Sequence, residues 1–314
     1  MAADKTPPLE WTPASRAALI TGCGSTTGLS SGTGRQIALL LKEQGWDVYG
    51  TGRDPAVMTE LAERGIHTRR LDLTDHESMK AVVTEIEEAH GSVGLLINNA
   101  AYSLNGTMLE TPLQSVRDQF ETNFFGVVDL TRLVLPGMVA ARSGRIVMMS
   151  SIFGLFGTAG RGFYEASKHA LEGLSDALRL EVLNLGIQVV VIEPSPIRGG
   201  FVPNDVKDLQ LGEREQVYDG FWEHFVKWHE TYREVEHPKG RGKTAVTAEA
   251  VSHRVALAAG ASRPKIRYKI GGPVRLLSTM RATIGERNWD RFVRFFFPYP
   301  GGKGAPVPAQ QALP

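Results

Sequence analysis

Cysteine is almost absent from this sequence: Cys23 is the only one in 314 residues. A single thiol excludes an internal disulfide and a cysteine metal cluster, and it fits a reducing compartment. Net charge is nearly absent too, with 35 lysines and arginines against 34 aspartates and glutamates. That balance leaves no basic footprint for nucleic acid and no broad field to steer a highly charged substrate. The N-terminus, MAADKTPPLEW, lacks a positively charged start followed by an apolar run. No apolar stretch approaches the roughly eighteen residues that span a bilayer. His224 and His229 are the wrong distance apart to share a helical face, and no companion acids suggest a metal site. The expectation is a cytoplasmic protein without a metal centre or an integral membrane segment.

What is present suits a folded α/β domain. Hydrophobic residues make up 42% of the chain and charged residues 22%, enough apolar side chain for a sizeable core. Residues 1–14 and 301–314 are Pro-, Ala- and Gly-rich without periodicity and read as flexible tails around one domain, 15–300. Within it, RAALITG, DVYGTGR, HTRRLDL, GLLINNA, GRIVMMS, IQVVVIEP and KIRYKIG read as short strands. Helical patterns fall at 34–45, near 55–65, and at 77–90, 113–141, 165–183 and 248–259. Strand and helix in alternation imply parallel strands joined by crossovers, hence a doubly wound parallel sheet, the Rossmann arrangement. Ligands bind such sheets beyond the carboxyl ends of the strands.

The first strand runs into TGCGSTTGLSSGTGRQIA, where Gly22, Gly24, Gly28, Gly32 and Gly34 leave the backbone free to approach a phosphate. A helix starting near Thr33 would aim its unpaired N–H groups and positive dipole end at a pyrophosphate. At the end of the second strand, GTGRD puts Gly52 where a carboxylate would hold a free adenosine ribose, followed by Arg53. Arginine suits bidentate phosphate contact, with the hydroxyls of Ser30 and Ser31 placed to assist, so NADP(H) is favoured over NAD(H). Asp54 offers a rival use for Arg53, a surface ion pair.

YEASK, within a helical run, sets Tyr164 and Lys168 one turn apart on the same face. A free phenol titrates near 10, too high for base work at neutral pH, and a cation one turn away favours its ionised form. Taken alone, the pair reads first as a solvated surface feature.

These motifs together resemble the short-chain dehydrogenase/reductase family. The match is carried by TG ending at Gly22, SSGTG ending at Gly34, LDL with Asp72, NNA at 98–100, Asn123 in ETNFFG, Ser151 in MMSS, and YEASK thirteen residues after that serine. It covers about 16–200, and VALAAGASRPKIRYKIGGPVRLL resembles the later part of steroid- and retinol-dehydrogenase-like members. The resemblance implies Tyr164 as general acid/base, Lys168 as its cation and a holder of the nicotinamide ribose, Ser151 as orienter of the substrate oxygen, and Asn123 as holder of a water on a proton path. It implies cofactor contacts from Gly22, Ser30, Ser31, Gly32, Gly34, Arg53, Asn98, Ala100, Ile197, Tyr164 and Lys168, and from Asp72 to the adenine amine. Asn98, Asn123, Ser151 and Asp72 also have purely structural readings, satisfying backbone groups at strand ends and turns.

Three departures stand out. The glycine turn is lengthened by GSTTGL; Ala101 replaces the glycine of the usual NNAG; and PSPIRGG carries Ser195 for glycine and Gly199 where threonine is usual. Residues 201–245 would form a substrate lid, with Tyr218, Phe221, Trp222, Phe225, Trp228, His229 and Tyr232 in an aromatic helical stripe. The stripe reads either as packing against the domain or as the lining of an apolar pocket for a bulky lipophilic alcohol or ketone. NWDRFVRFFFPYP pairs arginines with aromatics and suggests burial, a membrane surface or a partner subunit. The helices at 113–141 and 165–183 suggest a homo-oligomer. The leading function is an NADP(H)-dependent oxidoreductase interconverting an alcohol and a carbonyl; the alternative is a dinucleotide-binding sensor or scaffold without turnover.

Overall fold

A computed structural model describes residues 10–24, 32–197, 218, 220–233 and 245–301. Seven strands form one sheet: β1 (Ala17–Ile20), β2 (Asp47–Gly52), β3 (His67–Arg70), β4 (Leu95–Asn98), β5 (Gly144–Met149), β6 (Ile187–Pro194) and β7 (Arg267–Ile270). Their order is β3-β2-β1-β4-β5-β6-β7, and every pairing is parallel. The order reverses between β1 and β4, which opens a crevice at the carboxyl ends of the strands. All seven strand expectations are met.

The sheet is covered on both faces, which is why β1 and β5 are buried along their whole length. Ala18 and Ile20 face a core shared with Ile37 and Leu41 of α1 (Thr33–Glu43) and with Val251 and Val255 of α8 (Ala248–Gly260). Ala17 and Leu19 face the other side. There they meet Val82 and Ile86 of α3 (His76–His90), Leu130 and Val134 of α5 (Gly126–Ala141), and Leu171 and Leu178 of α6 (Gly162–Glu181). The remaining described helices are α2 (Thr59–Glu63), α4 (Leu113–Phe120), α7 (Phe221–Arg233), α9 (Gly272–Thr283) and α10 (Glu286–Phe296).

Three sequence expectations change. First, the helix expected at 113–141 forms, as α4, a π-helical turn (Glu121–Phe125) and α5 running on together over Leu113–Ala141, but by length and composition it is apolar enough to cross a membrane. The expectation that no such stretch exists is therefore corrected. Only 33% of its most apolar stretch is buried, because the long helix turns one face to the core and leaves Phe125 and Val139 exposed. Second, the chain is anchored from residue 10, inside the stretch read as a tail. Trp11 lies 5.8 Å from Trp46, ring to ring, and the guanidinium of buried Arg145 sits 4.1 Å over it. Arg145 also donates to the carbonyls of Ala258 and Ala261, closing the end of α8. Third, α9 was not foreseen, although a proline in its first turn is a helix-start signal.

Candidate active site

The loops after β1, β4, β5 and β6 meet at a cleft with an empty volume of about 530 Å³, partly open to solvent. Thr33, Asn99, Ala101, Ser151, Tyr164 and Lys168 are among its lining residues. Tyr164 and Lys168 thus reach the same space, as their four-residue spacing on α6 requires. Tyr164 is 3% exposed and Lys168 4%, so the pair is not a solvated surface feature. Lys168 Nζ lies 5.8 Å from the Tyr164 ring centre and donates to the Met149 carbonyl at 2.8 Å. Burial pulls the Lys168 ammonium down to about 8, with the Glu172 carboxylate working against that fall.

Ser151 begins a short turn after β5, and its Oγ accepts from the Phe153 N–H at 3.2 Å. Asn123 sits in the π-helical turn, where one extra residue per turn swings its amide toward the neighbouring loop. Its Oδ1 accepts from the Tyr102 N–H at 3.1 Å, while its Nδ2 donates to the Tyr102 carbonyl at 2.8 Å and to Ser167 Oγ at 3.3 Å. Asn123 therefore ties the loop after β4 to the residue preceding Lys168.

The glycine positions have local causes. Gly22 has φ +76°, and a Cβ there would lie 2.9 Å from the Ala100 Cα. A Cβ on Gly34 would stand 2.5 Å from the Gly22 carbonyl oxygen, so α1 packs against the β1 turn only through glycine. Gly32 precedes α1 with no side-chain cap, and no acid occupies the first turn of that helix. Its N-terminal N–H groups are thereby left available for an anion. Around the cleft the buried atoms Thr33 Oγ1, Asn99 Oδ1 and Ser150 Oγ have no partner among the described residues. Unpartnered polar atoms, a glycine-only contact and an uncapped helix end together fit a bound dinucleotide.

The other cofactor candidates fall as follows. Asn98 lies under the cleft floor, donating to Thr131 Oγ1 at 3.2 Å and Met148 Sδ at 3.3 Å, while Asn99 is the asparagine that lines the cleft. The Ala100 N–H donates to Thr21 Oγ1 at 2.9 Å, and Ile197 lines the cleft. Asp72 Oδ1 accepts from the Thr74 N–H and hydroxyl at 3.0 and 2.9 Å, holding the turn before α3. Arg53 is exposed, and its charge acts on Tyr102. Asp54 is engaged elsewhere, accepting from the Ala56 N–H at 2.9 Å. Gly28, Ser30, Ser31 and Gly199 lie outside the described residues.

Two departures from the family pattern are accommodated. Among the described residues Arg142 is the only non-glycine with positive φ, so Ala101 carries its methyl without backbone strain. Ser195 Oγ donates to the Ile270 carbonyl at 3.3 Å and occupies the space a Cβ on Gly271 would need. Of the aromatic stripe, Phe221, Trp222, Phe225 and Trp228 are buried against the body of the domain and none lines the cleft. Trp222 Nε1 donates to Glu110 Oε2 at 3.1 Å and Trp228 Nε1 to the Phe296 carbonyl at 2.8 Å. Most of 201–245 lies outside the described residues, including the side chains of His229 and Tyr232.

A charged cluster missed in the sequence sits behind Lys168. Arg267 on β7 reaches Glu172 at 3.0 Å, Asp176 at 2.9 Å and the fully buried Glu193 at 3.0 Å. Glu172 follows Lys168 by one turn, the only local signal of this cluster. Burial, and next the Glu172 charge, pushes the Glu193 carboxyl up to about 7.

Glu165 turns away from the cleft and accepts from the Thr158 N–H at 2.6 Å and hydroxyl at 2.5 Å. Burial raises its carboxyl from 4.5 to about 7. A raised acid stabilises the fold below its unfolded value and loses that contribution as pH climbs to the folded one. The margin of wild type over Glu165→Gln should therefore shrink between pH 5 and 7.5 by on the order of 3 kcal/mol, read from urea midpoints at each pH. A margin independent of pH would show that Glu165 ionises normally in the fold.

Comparison with known proteins gives a consistent result. The short chain dehydrogenase family model matches residues 17–209. The chain is 35% identical over 272 residues to a 3-ketodihydrosphingosine reductase of Bacteroides thetaiotaomicron, covering 86% of this chain and 96% of that protein. It is 31% identical over 283 residues to an NADPH-dependent 3-dehydrocapnine reductase of Ornithobacterium rhinotracheale, covering 84% and 93%. Among solved structures, a short-chain dehydrogenase from Streptomyces avermitilis superposes with a TM-score of 0.68 at 27% identity, covering 90% of this chain and 99% of that one.

Proposed function

Because the chain belongs to the short-chain dehydrogenase/reductase family, we propose that this oxidoreductase uses NADP(H) to reduce the ketone of a bulky lipophilic substrate, with Tyr164 as the proton donor. The observation that carries the reading is the convergence of Tyr164, Lys168 and Ser151 on one cleft beside an acid-free helix N-terminus. When bound, NADPH would supply the hydride. Ser151 Oγ and the Tyr164 hydroxyl hold the carbonyl oxygen between them, and Tyr164 passes its proton to that oxygen as negative charge develops there. Lys168, charged below about pH 8, stabilises the phenolate left behind and would hold the nicotinamide ribose hydroxyls. Asn123 keeps the β4 loop against α6 and holds a water through which the proton is replaced.

The phosphate preference rests on Arg53, exposed at the end of β2 with Asp54 engaged elsewhere. The lipophilic preference is supported by two relatives whose names specify reduction of 3-keto and 3-dehydro compounds, one of them on a sphingosine skeleton. Assembly is proposed through the outward faces of α5 and α6, where Val139 and Leu180 are exposed with Phe125 and Leu183 just beyond the helix ends. Nicotinamide fluorescence titration, followed by NADPH oxidation across ketones of rising chain length, tests the function. Turnover should improve with chain length, and Arg53→Ala should weaken NADPH by roughly 10- to 100-fold while leaving NADH unchanged. Binding without turnover across the panel would favour the sensor reading.

A further inference from the structure

The last two described helices carry more positive than negative side chains. Residues 272–301 hold five arginines against two acids, in a chain whose total charge is +1. On α10 the spacing sorts the residues into two faces. Trp289, Phe292 and Val293 turn inward, joining a cluster that contains Phe153, Phe156 and Tyr164. Arg287, Arg291 and Arg294 recur at i, i+4 and i+7 on the opposite face, and all three are exposed. Of the two acids, Glu286 is paired with Arg281 at 3.0 Å, which leaves Asp290 as the only other acid within 272–301. Among the described residues no ion pair engages Arg287, Arg291 or Arg294.

The arginine stripe ends at Phe295, which is 79% exposed. The neighbouring α9 adds exposed Leu276. An aromatic side chain left in water beside unpaired guanidinium groups is costly for a free surface. The same combination suits an interface that offers phosphates at one depth and acyl chains just below. Nucleic acid would use the arginines but gives an outward phenylalanine beside them no apolar layer.

We propose that α10 docks this enzyme on an anionic lipid surface, with Arg287, Arg291 and Arg294 on the headgroup phosphates and Phe295 inserted at the acyl boundary. The inference deepens the lipophilic-substrate reading and rests on it for its purpose. The inner side of the docking helix packs in the same cluster as Tyr164 and cleft-lining Phe153. Docking therefore brings the bilayer to about one helix diameter, ~10 Å, from the site wall. A lipid ketone then reaches the cleft without crossing open water.

Co-sedimentation of the full chain with phosphatidylcholine vesicles, and with the same vesicles containing phosphatidylglycerol, tests this without any substrate. Binding is expected only with phosphatidylglycerol and should fall as salt is raised. Arg287→Glu/Arg291→Glu/Arg294→Glu should weaken it by roughly 100-fold or more, at a few-fold per charge, and Phe295→Ser by at least several-fold. All four positions are exposed, and unchanged NADPH fluorescence titration certifies the fold of each variant. Equal binding to both vesicle types, no binding to either, or binding indifferent to the arginine reversals overturns the proposal. So does loss of a dimer in Phe295→Ser without vesicle binding in the wild type, or duplex DNA binding in place of vesicle binding. Failure of the ketone panel alongside intact vesicle binding would sink the substrate reading and leave the docking surface standing.

Discussion

Tyr164→Phe should lower kcat for ketone reduction by about 10²- to 10⁴-fold, the usual worth of a positioned general acid, while NADPH affinity stays within a few-fold of wild type. The ring of Tyr164 is 3% exposed and packs with Ile152, Phe153 and Phe156, so phenylalanine keeps the packing and removes only the hydroxyl. That selectivity makes the variant informative. A loss confined to kcat marks an interaction made in the transition state, whereas a rise in KM alone would mark a residue that merely binds. Full activity in Tyr164→Phe would overturn the assignment. The wild-type rate should also decline as pH rises past about 8, because Lys168 loses its proton there and with it the charge that eases departure of the phenolic proton.

The sheet was legible because its strands are covered on both faces. GRIVMM and VVVIEP are nearly continuous apolar segments, and only parallel strands between helices bury such segments completely. The Tyr164–Lys168 meeting was legible from spacing alone, since a helix turn allows little else. The aromatic stripe of α7 was legible as a helix but not as to what it faces. Periodicity gives a buried side and says nothing about whether cleft or core lies opposite. Glu110 and Phe296, which receive the indole N–H groups of Trp222 and Trp228, are remote in sequence. Arg267 was illegible for the same reason: it meets Glu172 from 95 residues away, through the β6–β7 pairing. The asparagine lining the cleft is Asn99 rather than Asn98 because strand side chains alternate, a parity that NNA alone does not fix.

Arg267→Ala should cost about 3–5 kcal/mol of stability at pH 8, the penalty for removing one partner from a buried ionic cluster. The arginine serves three carboxylates at once, on Glu172, Asp176 and Glu193, and Glu193 has no exposure to water. Truncation leaves those charges facing one another, with Lys269 the remaining cation that acts on Glu193. The cost must depend on pH in a definite direction. Glu193 already titrates near 7 in the fold against 4.5 for an ordinary glutamate, and loss of Arg267 raises it further. An acid with a raised folded value is tolerated while protonated, at low pH, and penalised as pH climbs through that value. Urea denaturation should therefore find Arg267→Ala much closer to wild type at pH 5.5 than at pH 8. Glu193→Gln placed on the Arg267→Ala background should recover part of the loss at pH 8 and little at pH 5.5. The Glu172 carboxylate of this cluster also opposes the burial-driven fall of Lys168. A cost equal at both pH values, with no recovery from Glu193→Gln, would mean that Arg267 contributes packing alone.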